Sequence, residues 1–246
     1  MTVQAMARDC SHVEGIDACL NCGARRLSVC GVLAEDGLRR LNAISDTPRF
    51  QAGEVLVREG DPATHLFNVT SGSVRVYKLL PDGRRQIVGF LFSGDFLGLA
   101  TGDRYAFSAE ALEPTTACRF RKTEYRKLLG ELPDLESALL ERASHELQAA
   151  QEQMLLLGRK TAMERLASFL CDLSRRAERV TGRGDVVHLP MTRAEIADYL
   201  GLTTETVSRL TSKLKTRGLI RLLSLYSVRI ERPVELAQLA GLDPLA

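Results

Sequence analysis

The cysteines near the start of the chain have the residue type and the spacing that could support metal chemistry. Cys19, Cys22 and Cys30 follow the pattern C-x2-C-x7-C, and Cys118 lies far along the chain. Four thiolates suit a [4Fe–4S] cluster, in which each iron takes one ligand, and they also suit a tetrahedral zinc ion. Spacing alone does not separate these two kinds of site, and unrelated reduced thiols are a third interpretation.

The other two cysteines, Cys10 and Cys171, are interpreted differently. Cys10 could replace one of the three N-terminal ligands, and Cys171 lies in the apolar run LASFLCDL, which predicts a buried core position. The opening residues, MTVQAMARDCSHVEGID, lack the apolar segment of a signal peptide. No apolar run reaches the roughly 18 residues that a membrane helix needs. We therefore expect a cytoplasmic protein, in which clustered cysteines indicate metal binding or catalysis rather than structural disulfides.

The elements that must position these residues begin with a β-rich region. The 246 residues are enough for two modest domains, and contents of 45% hydrophobic and 26% charged residues indicate a globular chain. Residues 1–30 show little periodicity and predict an irregular arm that a ligand must order, and a short helix is predicted over 32–44. From 50 to 120, short β-type runs predict an antiparallel barrel or roll. Turn glycines separate these runs: Gly60, Gly72, Gly83 and Gly94.

From residue 135 the apolar spacing becomes helical. Apolar residues recur at alternating intervals of three and four: Leu140, Ala143, Leu147, Ala150, Met154 and Leu157. A narrow heptad stripe with polar flanks favours a seam between the helices of a homodimer. A helix packed against its own barrel is the alternative. A further helix is predicted over 162–178, followed by a Gly-rich break over 181–185.

The segment MTRAEIADYLGLTTETVSRLTSKLKTRGLI, residues 191–220, has the layout of a helix-turn-helix. Thr192 is placed to N-cap a first helix, with Glu195 completing a capping box. Gly201 is placed to make the turn, and Thr203 or Thr204 to cap a second helix. Apolar residues are predicted to face inward from the two helices: Ile196, Ala197, Leu200, Val207, Leu210 and Leu214. The sequence after Gly218 predicts two short strands that form a wing.

The second helix carries side chains suited to reading double-stranded DNA. Arg209 can donate two hydrogen bonds to guanine, and Glu205 can accept one from cytosine. Thr204 and Ser208 share their exposed face, and Lys213 is better suited to phosphates. Net charge is only +2 overall, but residues 192–232 hold eight basic and four acidic residues, a local balance of +4. Such a basic segment is typical of a phosphate-contacting module.

Taken together, the helix-turn-helix, heptad helix and β-roll resemble the CRP/FNR family of bacterial transcription regulators, from about residue 17 to the C-terminus. The most specific match is E-x-x-S-R in the second helix, here Glu205, Ser208 and Arg209. That motif resembles the FNR branch, whose members read inverted repeats with TTGA-type half-sites. The resemblance implies an α+β chain with an N-terminal antiparallel β-roll of the cyclic-nucleotide-binding type, a long dimerisation helix and a C-terminal winged helix-turn-helix. We place these parts at 1–30 (arm), 31–132 (roll), 133–160 (helix) and 161–246 (DNA-binding domain).

The same resemblance implies ligands for a [4Fe–4S] cluster. FNR-type oxygen sensors place three cysteines in an N-terminal arm and a fourth on a late strand of the roll. The corresponding residues here are Cys19, Cys22, Cys30 and Cys118. The arm spacing resembles that of α-proteobacterial relatives, whereas enteric members use x2 then x5 and carry an acidic residue at the position aligned with Ala150.

The function that this resemblance implies is an oxygen-responsive regulator, mainly an activator of genes for low-oxygen metabolism. Its expected partners are double-stranded DNA, a second copy of the chain and RNA polymerase, with no membrane. Cyclic nucleotide binding is not expected, because Ser108 and Ala109 stand where the phosphate-binding Arg-Ser/Thr pair should be and Arg104 lies four residues too early. A family member with another input (haem and nitric oxide, thiol oxidation or zinc) is the alternative. A β-roll enzyme is a third hypothesis, but no catalytic constellation supports it.

Overall fold

The computed structural model describes residues 16–98 and 102–242, and it divides the chain into two compact units. The first unit is Met1–Gln148 and the second is Ala149–Ala246. The division falls inside one long helix. The predicted four-part division of the chain stays a prediction. In the described ranges, no helix has the length and apolarity needed to cross a membrane. Cys10 lies outside the described residues.

The first unit contains an antiparallel β-roll of two sheets. Its strands are β1 (Ser45–Asp46), β2 (Arg49–Phe50), β3 (Val55–Val57), β4 (His65–Ser71), β5 (Ser73–Leu79), β6 (Arg85–Phe92), β7 (Phe96–Leu97), β8 (Ser108–Ala111) and β9 (Thr115–Arg121). One sheet has the order β1-β9-β4-β7, with β2 also paired to β9, and the other has the order β3-β8-β5-β6. Their facing side chains form an apolar core that includes Phe67, Val69, Val74, Ala109 and Ala117. The predicted roll is therefore confirmed.

Glycines with positive φ make the turns of the roll. Gly83 turns the β5–β6 hairpin at φ +84°, a conformation that costs glycine nothing. Gly72, at φ +80°, is required for a second reason, since a Cβ there would lie 2.5 Å from Thr115 Oγ1. The run DFLGLA gives a strand of only two residues, because Gly98 takes a φ of +110° and the extended backbone ends there.

Helical turns precede and follow the roll. The first unit has α1 (Ile16–Leu20), two 3₁₀ turns (Arg25–Leu27 and Val29–Val32), α2 (Glu35–Ala43) and α3 (Lys122–Leu129). The prediction of an irregular arm is wrong for residues 16–30, because α1 and the 3₁₀ turns pack there, with Ala24 and Val29 buried. The predicted helix over 32–44 is shorter than expected, because Ala34 is extended and α2 begins after it.

The long helix α4 (Pro133–Arg159) runs for 27 residues without interruption. Its first turn is anchored by Leu135, which is completely buried in a core that also contains Leu38, Leu66, Phe120 and Tyr125. Ala138 and Leu139 pack against the same core, so the start of α4 and the N-terminal turns share one apolar cluster.

The second unit is a helical domain with a small sheet. Its elements after α4 are α5 (Ala162–Thr181), β10 (Val186–His188), α6 (Arg193–Leu200), α7 (Thr204–Thr216), β11 (Ile220–Ser224), β12 (Ser227–Ile230) and α8 (Pro233–Leu239). The sheet order is β10-β12-β11, all antiparallel. The two predicted wing strands are confirmed, while β10 and α8 were not predicted. Cys171 is buried in α5, as its apolar surroundings predict.

Candidate metal centre and nucleic-acid interface

Two of the three N-terminal cysteines, Cys19 and Cys30, lie in helical turns, and Cys22 lies between α1 and the first 3₁₀ turn. Cys19 is in α1, and the turn after it brings Cys22 close, with the backbone N–H of Cys22 donating to the carbonyl of Cys19 over 3.3 Å. Cys30 lies in the second 3₁₀ turn, where its sulfur is 2.9 Å from the hydroxyl oxygen of Ser28. The Cys19 thiol donates to Asn42 Oδ1 in α2 over 3.4 Å. The local fold therefore holds the arm cysteines through short-range hydrogen bonds.

The thiols are close enough to affect one another's ionisation. The pKa of Cys19 is raised to about 11, chiefly by burial, with nearby Cys30 and Cys22 contributing and Arg25 opposing. Burial also raises the pKa of Cys30, with Cys22 adding to the effect. Cys19 and Cys30 pack against the same apolar core, and Cys22 is bonded to Cys19 through the backbone, so the three residues occupy one region of the fold.

Cys118 approaches this region from the roll. It lies in β9 opposite Asn68 of β4, and its side chain packs against the same apolar core as Cys19 and Cys30. All four cysteines are partly buried. The roll therefore brings Cys118, which is remote in sequence, to the core that carries the arm cysteines.

Arg25 supplies positive charge near the thiols. It lowers the pKa of both Cys19 and Cys30, and its guanidinium also donates to the carbonyl of Leu33 over 3.0 Å. Arg26, by contrast, is exposed. Of the two arginines between the predicted ligands, only Arg25 is held where it can offset negative charge on the sulfurs.

The donor chemistry of four thiolates suits a [4Fe–4S] cluster, in which each iron takes one sulfur, and it also suits zinc. In residues 16–98 and 102–242, no three His, Cys, Asp or Glu side chains are placed so that they could hold a metal ion. The completely buried hydroxyl of Tyr125, in the core against which Cys30 packs, has no hydrogen-bond partner among the described residues.

The helix-turn-helix forms as the sequence predicts. Thr192 Oγ1 accepts from the N–H of Glu195, and the Glu195 carboxylate accepts from the N–H of Thr192, so the predicted capping box is present. Gly201 ends α6 with φ +62°. Thr203, rather than Thr204, caps α7 and accepts from the N–H of Thr206 over 3.2 Å. The residues predicted to face inward are all buried: Ile196, Ala197, Leu200, Val207, Leu210 and Leu214.

The proposed DNA-reading side chains share the exposed surface of α7. All five are exposed: Thr204, Glu205, Ser208, Arg209 and Lys213. Hydrogen bonds from its own backbone N–H and the Thr203 hydroxyl lower the pKa of Glu205, so its carboxylate is available as an acceptor. These placements are compatible with base contacts, and the individual roles stay predictions.

The heptad residues of α4 lie mainly on its exposed surface. Leu140, Leu147 and Met154 are 69%, 63% and 70% exposed, which is unusual for large apolar side chains spaced seven residues apart. Ala150 is also exposed, and Ala143 and Leu157 are partly buried. The chain itself leaves most of this stripe uncovered, which favours a seam with another helix over packing against its own roll.

A contact in the second unit that the sequence did not reveal ties α4 to the helix-turn-helix. The Arg165 guanidinium donates to the carbonyls of Leu157, at 2.8 Å, and Leu200, at 3.0 Å. Gln153 adds a hydrogen bond to the carbonyl of Tyr199 over 3.0 Å. The sequence does not show which arginine of an amphipathic helix will donate to the carbonyls at the ends of other helices, so only the structure reveals this contact.

Two family models match the chain, one on each side of α4. Residues 47–131 match the "cyclic nucleotide-binding domain" and residues 164–239 match the "Crp-like helix-turn-helix domain". The crystallographic relative FixK2 from Bradyrhizobium japonicum has a TM-score of 0.74 and 37% identity, covering 80% of this chain and 97% of its own.

Several named regulatory proteins are similar in sequence to most of this chain. The nitrogen fixation regulation protein FixK of Bradyrhizobium diazoefficiens is 43% identical over 83% of this chain and 86% of its own length. The transcriptional activator protein FnrL of Cereibacter sphaeroides is 37% identical over 92% of both chains. The fumarate and nitrate reduction regulatory protein of Escherichia coli is 34% identical over 91% of this chain and 90% of its own. With this fold and these relatives, the chain belongs to the CRP/FNR family of DNA-binding, helix-turn-helix transcription regulators.

Proposed function

We propose that this protein is an oxygen-responsive transcription regulator, mainly an activator of genes for low-oxygen metabolism. It senses through a [4Fe–4S] cluster on Cys19, Cys22, Cys30 and Cys118, and it binds inverted-repeat TTGA-type sites as a homodimer. The observation that carries the proposal is that Cys19, Cys30 and Cys118 pack against one apolar core, with Cys22 joined to Cys19 by a backbone hydrogen bond.

The relatives support this choice of branch. FnrL and the transcriptional activatory protein AadR of Rhodopseudomonas palustris, which is 41% identical, are both named as activators. The FnrL match leaves 8% of the 246 residues uncovered, about 20 residues, so it extends over Cys30 as well as Cys118. The match to FnrL therefore spans at least two of the four predicted ligands, Cys30 and Cys118.

The residues around the site would hold and shield such a group. The four cysteines supply one sulfur for each iron, and Arg25 offsets part of the negative charge on those sulfurs. The apolar core beside them limits access of water. When bound, a [4Fe–4S] cluster supplies a centre that oxygen can attack.

Three of the four cysteines and the first turns of α4 pack against the same core. Leu135 is completely buried in it, and Ala138 and Leu139 pack against it together with Cys19, Cys30 and Cys118. Because cores are close-packed, a change in the cysteine-bearing turns alters the packing of the first turns of α4. That helix carries the predicted dimer seam.

On DNA, Arg209 and Glu205 would specify the half-site. Arg209 suits the guanine of a TTGA-type half-site, and Glu205 suits the cytosine that pairs with it. Lys213 contributes phosphate contacts that do not depend on sequence. As an activator, the bound dimer has RNA polymerase as its partner. Cyclic nucleotide is not its ligand, because Ser108 and Ala109 supply no guanidinium for a cyclic phosphate.

Iron and sulfide analysis of anaerobically purified protein tests the cluster directly. We expect four irons and four sulfides per chain, and serine at Cys19, Cys22, Cys30 or Cys118 should remove both. Cys171→Ser is the matched control, because Cys171 is buried in α5 of the other unit, and Cys10→Ser should also keep the cluster.

The outcomes separate this function from other inputs. A cluster that survives Cys118→Ser would remove the fourth ligand, and one lost in Cys10→Ser would move a ligand into the first residues. Protein without iron and sulfide would refute the cluster and favour another input, such as haem, thiol oxidation or zinc.

A further inference from the structure

Tyr125 is a large polar side chain with no exposure to solvent. It lies in α3, immediately after the strand that carries Cys118, and its exposed fraction is 0%. Its ring packs between Phe120, with ring centres 5.2 Å apart, and Phe96, at 5.7 Å. The ring therefore fills an aromatic position in the core, which phenylalanine could fill equally well.

The hydroxyl of Tyr125 has no hydrogen-bond partner among the described residues. A buried hydroxyl without a partner is costly, and such groups normally have one. Tyr105 of the same unit shows the usual arrangement, in which the hydroxyl donates to the His65 carbonyl over 2.8 Å and accepts from the His65 N–H over 3.2 Å. The Tyr125 hydroxyl can therefore donate to an acceptor that forms only when a group is bound at the cysteines.

The surroundings of Tyr125 restrict what that partner can be. The other buried members of its core are aliphatic or phenyl side chains, which accept no hydrogen bond. Cys30 packs against the core that contains Tyr125, as do Cys19 and Cys118. The pKa of Tyr125 is raised chiefly by burial, with Cys30 contributing. A thiol sulfur is a weak acceptor, but a metal-bound thiolate carries charge and accepts strongly.

We propose that the Tyr125 hydroxyl donates a hydrogen bond to the Cys30 thiolate when that sulfur is a ligand of the [4Fe–4S] cluster. This inference rests on the proposed function. Tyr125 is then a positioning residue that stabilises negative charge at the site, because hydrogen bonds to ligand sulfurs raise the reduction potential of such clusters. Removing the hydroxyl should shift the potential to a more negative value and make the cluster more sensitive to oxygen.

The test compares Tyr125→Phe with wild type, both with and without cluster, and uses Tyr105→Phe as the matched control. In the cluster-loaded protein, Tyr125→Phe should give a more negative midpoint potential and lose visible absorbance in air on the order of tenfold faster, the factor expected for one hydrogen bond to a charged acceptor. Tyr105→Phe should leave both values unchanged.

In cluster-free protein, the control variant Tyr105→Phe should be the one that is affected, and the quantity measured is the melting temperature. Tyr125→Phe should melt at or above the wild-type temperature, because it removes a hydroxyl that lacks a partner. Tyr105→Phe should melt lower, by roughly 2–4 °C, because it breaks satisfied hydrogen bonds.

Three results would overturn the inference. The first is an unchanged potential and bleaching rate in Tyr125→Phe, with a normal cluster in wild type. The second is a fall in the melting temperature of cluster-free Tyr125→Phe equal to that of Tyr105→Phe, which would mean that the hydroxyl already has a hydrogen-bond partner in the absence of the cluster. The third is wild-type protein without iron and sulfide, which refutes the proposed function at the same time, whereas the first two leave that function intact.

Discussion

The apolar seam of α4 predicts a dimer that persists after the cluster is lost. Leu140, Leu147 and Met154 are more than 60% exposed in the single chain, and Ala150 lies between them on the same stripe. No charged residue interrupts the heptad positions from Leu140 to Leu157. The chain should therefore remain dimeric in air, with oxygen acting more on the arm and on DNA affinity than on oligomeric state.

Ala150→Asp introduces the charge that this seam lacks. In a two-fold dimer each substitution places two carboxylates opposite each other. At a separation of roughly 5–6 Å and an effective dielectric constant of about 20, their repulsion is about 3 kcal/mol. Salt and partial solvation reduce this to about 2–3 kcal/mol, which weakens the dimer roughly 30- to 150-fold.

The assay is sedimentation velocity of air-exposed protein at micromolar concentration. Wild type should sediment as a dimer and Ala150→Asp as a monomer or a mixture that depends on concentration. Ala149→Asp is the matched control, since Ala149 is equally exposed but lies outside the heptad stripe, so it should remain dimeric. Air-exposed wild type that sediments as a clean monomer would refute the reasoning, because the cysteine-bearing turns would then supply most of the dimer stability.

Two further predictions concern DNA and pH. Arg209→Ala should cost about 1–3 kcal/mol of DNA-binding free energy and relax the base preference at one position. Lys213→Ala should instead weaken binding to all DNA sequences alike, and it should reduce the slope of log binding constant against log salt concentration by about 1. Fluorescence titrations of both variants at several salt concentrations measure these effects. Equal effects of both variants on base preference would contradict the assignment of base contacts to Arg209 and phosphate contacts to Lys213. The pKa of Glu146 is raised to about 7, chiefly by burial, with Arg142 opposing the increase and Asp95 adding to it. The folded state holds this proton more tightly than the unfolded state, so wild type should lose stability relative to Glu146→Gln as pH rises from about 4.5 to 7. The loss should be about 1 kcal/mol at most, because the Glu146 side chain is 41% exposed. Melting temperatures that change with pH in the same way for both proteins would contradict this prediction.

The helix-turn-helix was predictable because its determinants are local. The capping box joins residues three apart, and Gly201 needs only its own backbone conformation. Inward-facing residues follow from the period of 3.6. The sequence left one detail open, whether Thr203 or Thr204 caps the second helix, because adjacent threonines have the same capping chemistry and only backbone geometry distinguishes them.

The cysteine site depends on contacts that no local pattern encodes. Strand β9 pairs with β4, β1 and β2, and this pairing, not the spacing C-x2-C-x7-C, brings Cys118 to the core beside Cys19 and Cys30. The helical turns of residues 16–30 were missed because they carry no periodic stripe and are fixed by packing. Tyr125 was missed for the same reason, since a tyrosine in a short amphipathic helix does not reveal whether its hydroxyl has a partner.

The long helix α4 has one face packed against the core beside the cysteines and another face that carries the exposed heptad stripe. Leu135, Ala138 and Leu139 face the core against which the cysteines pack, whereas Leu140 and Leu147 lie on the exposed side, roughly 80° or more around the helix from each of them. A rearrangement of the cysteine-bearing turns can therefore shift or tilt α4 without touching a seam residue. In the second unit, Arg165 holds the carbonyls of Leu157 and Leu200 together, so movement of the end of α4 is passed to the turn before the recognition helix. Under the proposed function, a signal at the cysteines changes DNA affinity in this way while the apolar seam keeps the two chains together.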